Sequence, residues 1–199
     1  LRLITRDPIV LDAGWPISDS TYIREKSILL KVKSYLLDFL TFWVADLIFL
    51  ESKSQLEYCS EKYGFTKNKF VVSYTGFNEL QMLEEKASSF DERKLLKDIP
   101  AKFFEKGYIF FRGKPNSESG LENLMEVANQ YRDYRFVIAS PGLDTHIPEN
   151  VVVLSGWLDW QSLNALYRNA AVVIGQTSSA KRISRTIAHK VYEAAYFEI

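Results

Sequence analysis

Apolar residues in this chain come in short unbroken runs, and the stretches between the runs carry helical periodicity. "PIVLD" (8–12), "DLIFL" (46–50) and "KFVVSY" (69–74) read as buried strands in the first half. Gly14-Trp15-Pro16 breaks the first of them, and Gly76 closes the third. Ser18, Asp19 and Ser20 offer caps for one long helix reaching about Val44, along which Leu29, Val32, Leu36, Phe39 and Trp43 recur at helical spacing. A second helix is expected from Lys53 to Tyr63, stopped by Gly64.

Residues 80–106 are more charged and less regular, and read as a crossing between two domains. The alternation then resumes. "YIFFRG" (108–113), "RFVIAS" (135–140), "VVVLSG" (151–156) and "AAVVIG" (170–175) are the expected strands. Ser119 and Glu122 have capping-box spacing before a helix with Leu121, Leu124, Met125 and Ala128 on one face. Asp159 can cap a helix running to about Asn169, and residues 186–197 supply the last one. Continuous apolar strands alternating with amphipathic helices predict an α/β protein with parallel sheets covered on both faces. Ligands in such folds sit at the carboxyl ends of strands, where Gly113, Ser140, Gly156 and Gln176 fall.

Composition narrows this picture. The 199 residues hold 25 basic and 25 acidic side chains, for a net charge of zero. That argues against a nucleic-acid-coating surface, which needs a basic excess. Cys59 is the single cysteine, so no intrachain disulfide forms, and two histidines with one cysteine make no zinc site. The most apolar stretch, 28–50, contains Lys31, Lys33, Asp38 and Asp46, whereas a membrane span needs about 20 mostly uncharged residues.

Three features carry candidate chemistry. In "RGKPNSESGLENL" (112–124) a strand runs into a glycine-containing helix start, where Gly113 and Gly120 let backbone approach an anion. The plain alternative is an ordinary strand–loop–helix connection. The basic run of Lys181, Arg182, Arg185, His189 and Lys190 lies ahead of and within the last helix. Cations there oppose the helix dipole unless an anion binds between them; alternatively they are solvated charges paired with acidic neighbours. Glu193 lies beside the apolar face formed by Ile187, Val191, Ala194 and Ala195. It could accept two hydrogen bonds from a vicinal diol, or be a partly exposed glutamate paired with Lys190.

The order of these features resembles the nucleotide-binding domain of retaining GT-B glycosyltransferases, glycosyltransferase family 4. That family has a strand, Gly-Arg, four residues, Lys-Gly and a helix; this chain reads Gly113-Lys114, "PNSE", Ser119-Gly120. Glu193-Ala194, with Lys190 before it, matches the family's closing Glu-Ala helix. "ADLIFLESKSQLEYCSEKYGFTKNKFVVSYTGFNEL" (45–80) is similar to the end of the family's first domain. The chain departs from the pattern at Lys114 for arginine, Ser119 for lysine, Arg185 for the first glutamate and Glu198 for glycine.

The resemblance implies a GT-B fold of two Rossmann-like parallel-sheet domains, both incomplete. Residues 1–79 would be the end of the acceptor-side domain, 80–106 the crossing, and 107–199 the nucleotide-sugar domain. It implies transfer of a sugar from a nucleotide-diphosphate sugar to a glycan or lipid-linked acceptor, without metal, cofactor or nucleic acid. Lys114 and Lys190 would be the catalytic cations. Gly113, Ser119, Gly120, Trp157, Leu158, Arg185, Ile187 and Glu193 would bind the donor, with Glu193 on the ribose and Trp157 and Leu158 at the base. Arg185, Arg182 and Lys190 could replace the diphosphate charge lost at these positions, Ser178 and Ser179 would border the site, and Asp12 to Trp15 would face the acceptor. The chain alone is expected to be an inactive, marginally stable fragment ordered mainly around Phe110, Phe136, Ile138, Val152, Leu154, Val172 and Ile174. Two other readings stay open: a non-catalytic nucleotide-sugar-binding or partner-binding module, and a GT-B nucleotide-sugar epimerase. A cytoplasmic location follows. The basic, aromatic stretch 21–44 is expected to pack its apolar stripe on the first sheet, with contact at the inner membrane face as the alternative.

Overall fold

The computed structural model describes residues 7–78, 96–143, 146–156 and 158–199. The expected crossing lies partly outside these residues, and Trp157 wholly so. The chain divides into two compact units, 1–75 with 180–187, and 76–179 with 188–199. Most of the basic run therefore belongs to the first unit, while His189 and Lys190 belong to the second.

In the first unit, β1 (Val10–Gly14), β2 (Leu47–Leu50) and β3 (Phe70–Val72) form a parallel sheet in that order. The long helix expected after β1 is two helices, α1 (Ile17–Arg24) and α2 (Ile28–Val44). Helix α1 has Pro16 at its cap position and no cap from its own residues. Asp38 of α2 does that work, accepting from the backbone N–H of Ile17 at 2.9 Å and Ser18 at 2.8 Å. Ser27 starts α2 afresh by accepting from the N–H of Leu30. Helix α3 (Lys53–Tyr63) ends at Gly64 in the left-handed region, as its sequence predicts. Ile48, Leu50 and Phe70 pack with Phe42, Ala45, Cys59 and Tyr63 in this unit's core.

The face of α2 that packs inward is not the expected one. Ser34, Asp38 and Phe42 are buried, whereas Leu29, Val32, Leu36 and Trp43 are exposed. Asp38 and Tyr63 explain the choice: the Tyr63 hydroxyl donates to Asp38 at 2.9 Å, which ties the polar side of α2 to α3.

The second unit is built on β4 (Tyr108–Arg112), β5 (Phe136–Ala139), β6 (Val151–Leu154) and β7 (Ala170–Ile174), all parallel, in the order β6-β5-β4-β7. Alternation along the strands sends Phe111, Phe136 and Ile138 to one face, against Leu121, Leu124, Met125 and Ala128 of α4 (Leu121–Gln130). Tyr108, Phe110, Val137 and Ala139 go to the other, against Leu163, Leu166 and Tyr167 of α5 (Trp160–Arg168). Both faces are covered, as parallel sheets require. Val152, Leu154 and Ile174 are only partly buried, and Val172 on the outermost strand is exposed, contrary to its expected core position. Each unit is thus a parallel α/β layer of Rossmann-like type.

Helix α4 does not start with the expected capping box. Gly120 takes the cap position in the left-handed region, with no side-chain bond. The Ser119 hydroxyl instead donates to the Asn116 carbonyl at 2.9 Å. The last helix, α6 (His189–Tyr196), buries Lys190, Glu193 and Ala194, while Ile187 and Val191 of its expected apolar face are exposed.

Candidate functional site

The strand order of the second unit reverses direction at β4, which has β5 on one side and β7 on the other. Such a switch point opens a crevice at the carboxyl ends of the strands. A cavity of about 770 Å³ lies there, lined by the ends of β4 (Arg112, Gly113, Lys114) and β5 (Ala139, Pro141), by Gly156 after β6, and by Leu158, Trp160 and Leu163. Helix α6 contributes His189 and Glu193.

Glu193 is the centre of a charge cluster and is 0% exposed. Arg112 Nη2 donates to Oε1 at 3.0 Å and pairs with Oε2 at 2.9 Å. His189 Nδ1 lies 2.9 Å from Oε1, one helical turn back, and the Tyr167 hydroxyl donates to Oε2. A carboxylate has about four lone-pair positions, and Arg112, His189 and Tyr167 together engage both of its oxygens. Glu193 is therefore neither the partly exposed glutamate nor the Lys190 partner that its helix position permits. Burial first, and then the Glu193 charge and hydrogen bond, push the Tyr167 hydroxyl far above its ordinary range, with Arg112 opposing.

Lys190 sits behind this cluster. Its ammonium donates to the Arg112 carbonyl and lies 4.0 Å from the centre of the Phe111 ring. Burial, followed by the Arg112 charge, lowers its pKa to about 8, with Glu193 pulling the other way. Gly113 faces the same ammonium: a Cβ there would come within 3.3 Å of it. Lys114 is exposed and lines the cavity.

The other sequence candidates lie elsewhere. Ser119 and Gly120 are not among the cavity residues. At Gly120 (φ +69°) a Cβ would fall 2.2 Å from the Ser178 backbone nitrogen, so the space a ligand would need is filled by the turn after β7. Ser178 itself donates to the Ser117 carbonyl at 2.6 Å. Ile187 is exposed in the first unit. Arg185, also in the first unit, donates to Asp19 at 2.9 Å, to Gln55 at 3.1 Å and to the Lys181 carbonyl at 3.2 Å, with its guanidinium 3.7 Å from the Tyr58 ring centre. Asp19 also takes Gln55 and Lys62. Burial works to raise its pKa, but the bonds from Arg185, Tyr58 and Gln55 and the Lys62 charge win, and the carboxyl is held below its ordinary value. Arg182 stacks on Trp15 at 4.3 Å.

Sequence reasoning missed Arg112 and Tyr167, and it set His189 in the basic run without pairing it to Glu193. An arginine as the last residue of a strand, and a histidine four residues before a helix glutamate, were the available signals. Among the described residues, no group of three or more His, Cys, Asp or Glu side chains could hold a metal ion. Nor, among the described residues, is any helix long and apolar enough to cross a membrane.

No protein-family model matches the chain, and no curated protein matches it. Among solved structures it is similar to UDP-GlcNAc 2-epimerase from Neisseria meningitidis bound to UDP-GlcNAc, at 13% identity and TM-score 0.45, over 83% of this chain and 47% of that one. It is similar to UDP-N-acetylglucosamine 2-epimerase from Rickettsia bellii, at 14% and 0.47, over 83% and 44%. It is also similar to WaaG, a glycosyltransferase involved in lipopolysaccharide biosynthesis, at 14% and 0.48, over 92% and 57%. The chain spans about half the length of these proteins.

Proposed function

We propose that the second unit is the donor-binding part of a GT-B glycosyltransferase, which moves a sugar from a nucleotide-diphosphate sugar to a glycan or lipid-linked acceptor. The observation that carries this reading is the cavity at the reversal of strand order, where cations meet an apolar wall. Its volume suits a small ligand. Lys114 and Arg112 offer positive charge to a diphosphate, and Leu158, Trp160 and Leu163 offer a surface for a base. Fixed cations around a leaving diphosphate stabilise the charge that develops as the glycosidic bond breaks.

In this reading Lys114 is the direct phosphate ligand. Lys190 acts from behind, holding the Arg112 carbonyl at the strand end. Glu193 can take a ribose diol only if a present donor leaves. His189, whose side chain is 43% exposed, is the partner with room to do so. Ser119, Gly120, Arg185 and Ile187 have no donor role in it, since their surroundings are protein or they belong to the first unit.

Titration of the chain with nucleoside diphosphates tests the proposal. Binding is expected, and Lys114→Ala should weaken it about tenfold or more, the cost of one charge-assisted hydrogen bond. No binding of any nucleoside diphosphate, or an unchanged affinity in the variant, would overturn the reading. Product analysis with a bound nucleotide-sugar separates transfer from epimerisation: the sugar leaves the nucleotide in the first and stays on it in the second.

A further inference from the structure

The cavity at the carboxyl end of the second sheet is chemically divided by element. Its charged side chains are Arg112 and Lys114 from the end of β4, and His189 and Glu193 from α6. The rest of the described lining comes from the ends of β5 and β6 and the start of α5: Ala139, Pro141, Gly156, Leu158, Trp160 and Leu163. None of these six has a side-chain hydrogen-bond acceptor, and their one side-chain donor is the Trp160 indole N–H. Leu158 and Trp160 are partly buried and pack on the core cluster that contains Leu163 and Leu166. Asp159 accepts from the Ser162 N–H at 2.7 Å, which fixes the first turn of α5 and with it the Trp160 backbone. Beside Gly156 (φ +129°) a Cβ would meet nothing within 4 Å, so the cavity has room there.

This division decides how a nucleobase can be told from another. Bases differ in the donors and acceptors along their edges. A site built to hydrogen-bond such a group rejects an analogue lacking it by roughly 10,000-fold or more, whereas an apolar pocket discriminates by only about 10–200-fold. The uncharged end of this cavity is of the second kind: no side chain there accepts from an amino group on a base. An aromatic ring, by contrast, serves every base, because each presents a π-face. Purines present the larger one.

We infer that the cavity holds its nucleobase by stacking on Trp160 and selects it by size and not by edge, an inference that rests on the donor reading given above. Uridine, adenosine and guanosine diphosphates all fit, and a purine binds tightest. Trp160 is then the residue that sets base preference, while Lys114 and Arg112 hold whichever diphosphate arrives.

Isothermal titration of the 199-residue chain with UDP, ADP, GDP and inorganic pyrophosphate tests it. The three nucleotides should bind within about a hundredfold of one another, with ADP or GDP the tightest and each tighter than pyrophosphate. Trp160→Leu keeps an apolar side chain on the core but removes the ring. It should weaken all three nucleotides by roughly tenfold and leave pyrophosphate unchanged, which also reports that the variant is folded. Trp160→Phe keeps a ring and should retain most of the nucleotide affinity. Binding of none of the four ligands would overturn the donor reading and this inference with it. The inference alone falls if one base is preferred by more than a hundredfold, or if UDP is the tightest. It falls as well if Trp160→Leu leaves the nucleotides unchanged, or weakens pyrophosphate as much as it weakens them.

Discussion

Truncating Glu193 should cost the second unit much of its stability, whatever ligand the cavity takes. In Glu193→Ala the Arg112 guanidinium loses both its contacts near 3 Å, and the Tyr167 hydroxyl loses its acceptor. Removing one partner of a buried ion pair costs about 3–5 kcal/mol. Arg112 keeps 28% of its side chain in contact with solvent, so the lower end, about 3 kcal/mol, applies. An orphaned buried hydroxyl adds about 1–3 kcal/mol. These terms overlap, because all the groups share one carboxylate, and the expected loss is about 4 kcal/mol. That is a large share of the roughly 5–15 kcal/mol that holds a domain together. Urea unfolding followed by circular dichroism would read it as a lower midpoint. The double variant Glu193→Ala with Arg112→Met should regain part of the loss, because no unpaired cation is left behind. A loss below about 1 kcal/mol, or a double variant no more stable than the single one, would refute the view of Glu193 as the anchor of a buried cluster.

Three further outcomes are expected. Lys190 has a folded-state pKa of about 8 against 10.5 for the free side chain. Between these values the unfolded chain binds more protons, so stability should rise with pH across that window, by on the order of 1–3 kcal/mol; Lys190→Met should abolish the rise, and a parent profile flat from pH 8 to 10.5 would contradict the account. Gly120→Ala forces a side chain into the left-handed region and against the Thr177–Ser178 backbone; it should lower stability by about 2–5 kcal/mol, and a neutral result in thermal melts would mean that the two turns do not touch. Burial pushes the Cys59 thiol up to about 12, so alkylation near pH 8 should proceed only as fast as the first unit opens; a rate close to that of an exposed thiol would show that its core is not closed over Cys59.

Strands were legible in the sequence because a strand buried on both faces needs a run of apolar residues wherever it goes. The β4, β5 and β6 runs and the α4 stripe of Leu121, Leu124, Met125 and Ala128 fall where the pattern puts them. Helix orientation was less legible. Periodicity announces a helix, yet α2 and α6 both turn a polar side inward. What decides this is a buried carboxylate in each, Asp38 or Glu193, whose donors come from other elements: the N–H groups of Ile17 and Ser18, Tyr63, Arg112 and Tyr167. No local window contains both ends of such a bond. The same distance hid the break between α1 and α2, since the cap of α1 stands 20 residues away. Within the candidate site, the glycines and lysine at the strand end were readable, while the cluster that fixes Glu193 was not.

The return of residues 180–187 to the first unit has a consequence for the order in which the protein is made. A ribosome adding roughly 5–20 residues per second takes on the order of ten seconds to travel from Thr75 to Arg185. Through that interval the nascent first unit has its three strands, but Asp19 has only Gln55, Tyr58 and Lys62 as donors. The guanidinium that completes its set arrives only after all four strands of the second sheet have been translated. The first unit begins to fold early and is completed only after the second sheet has been made.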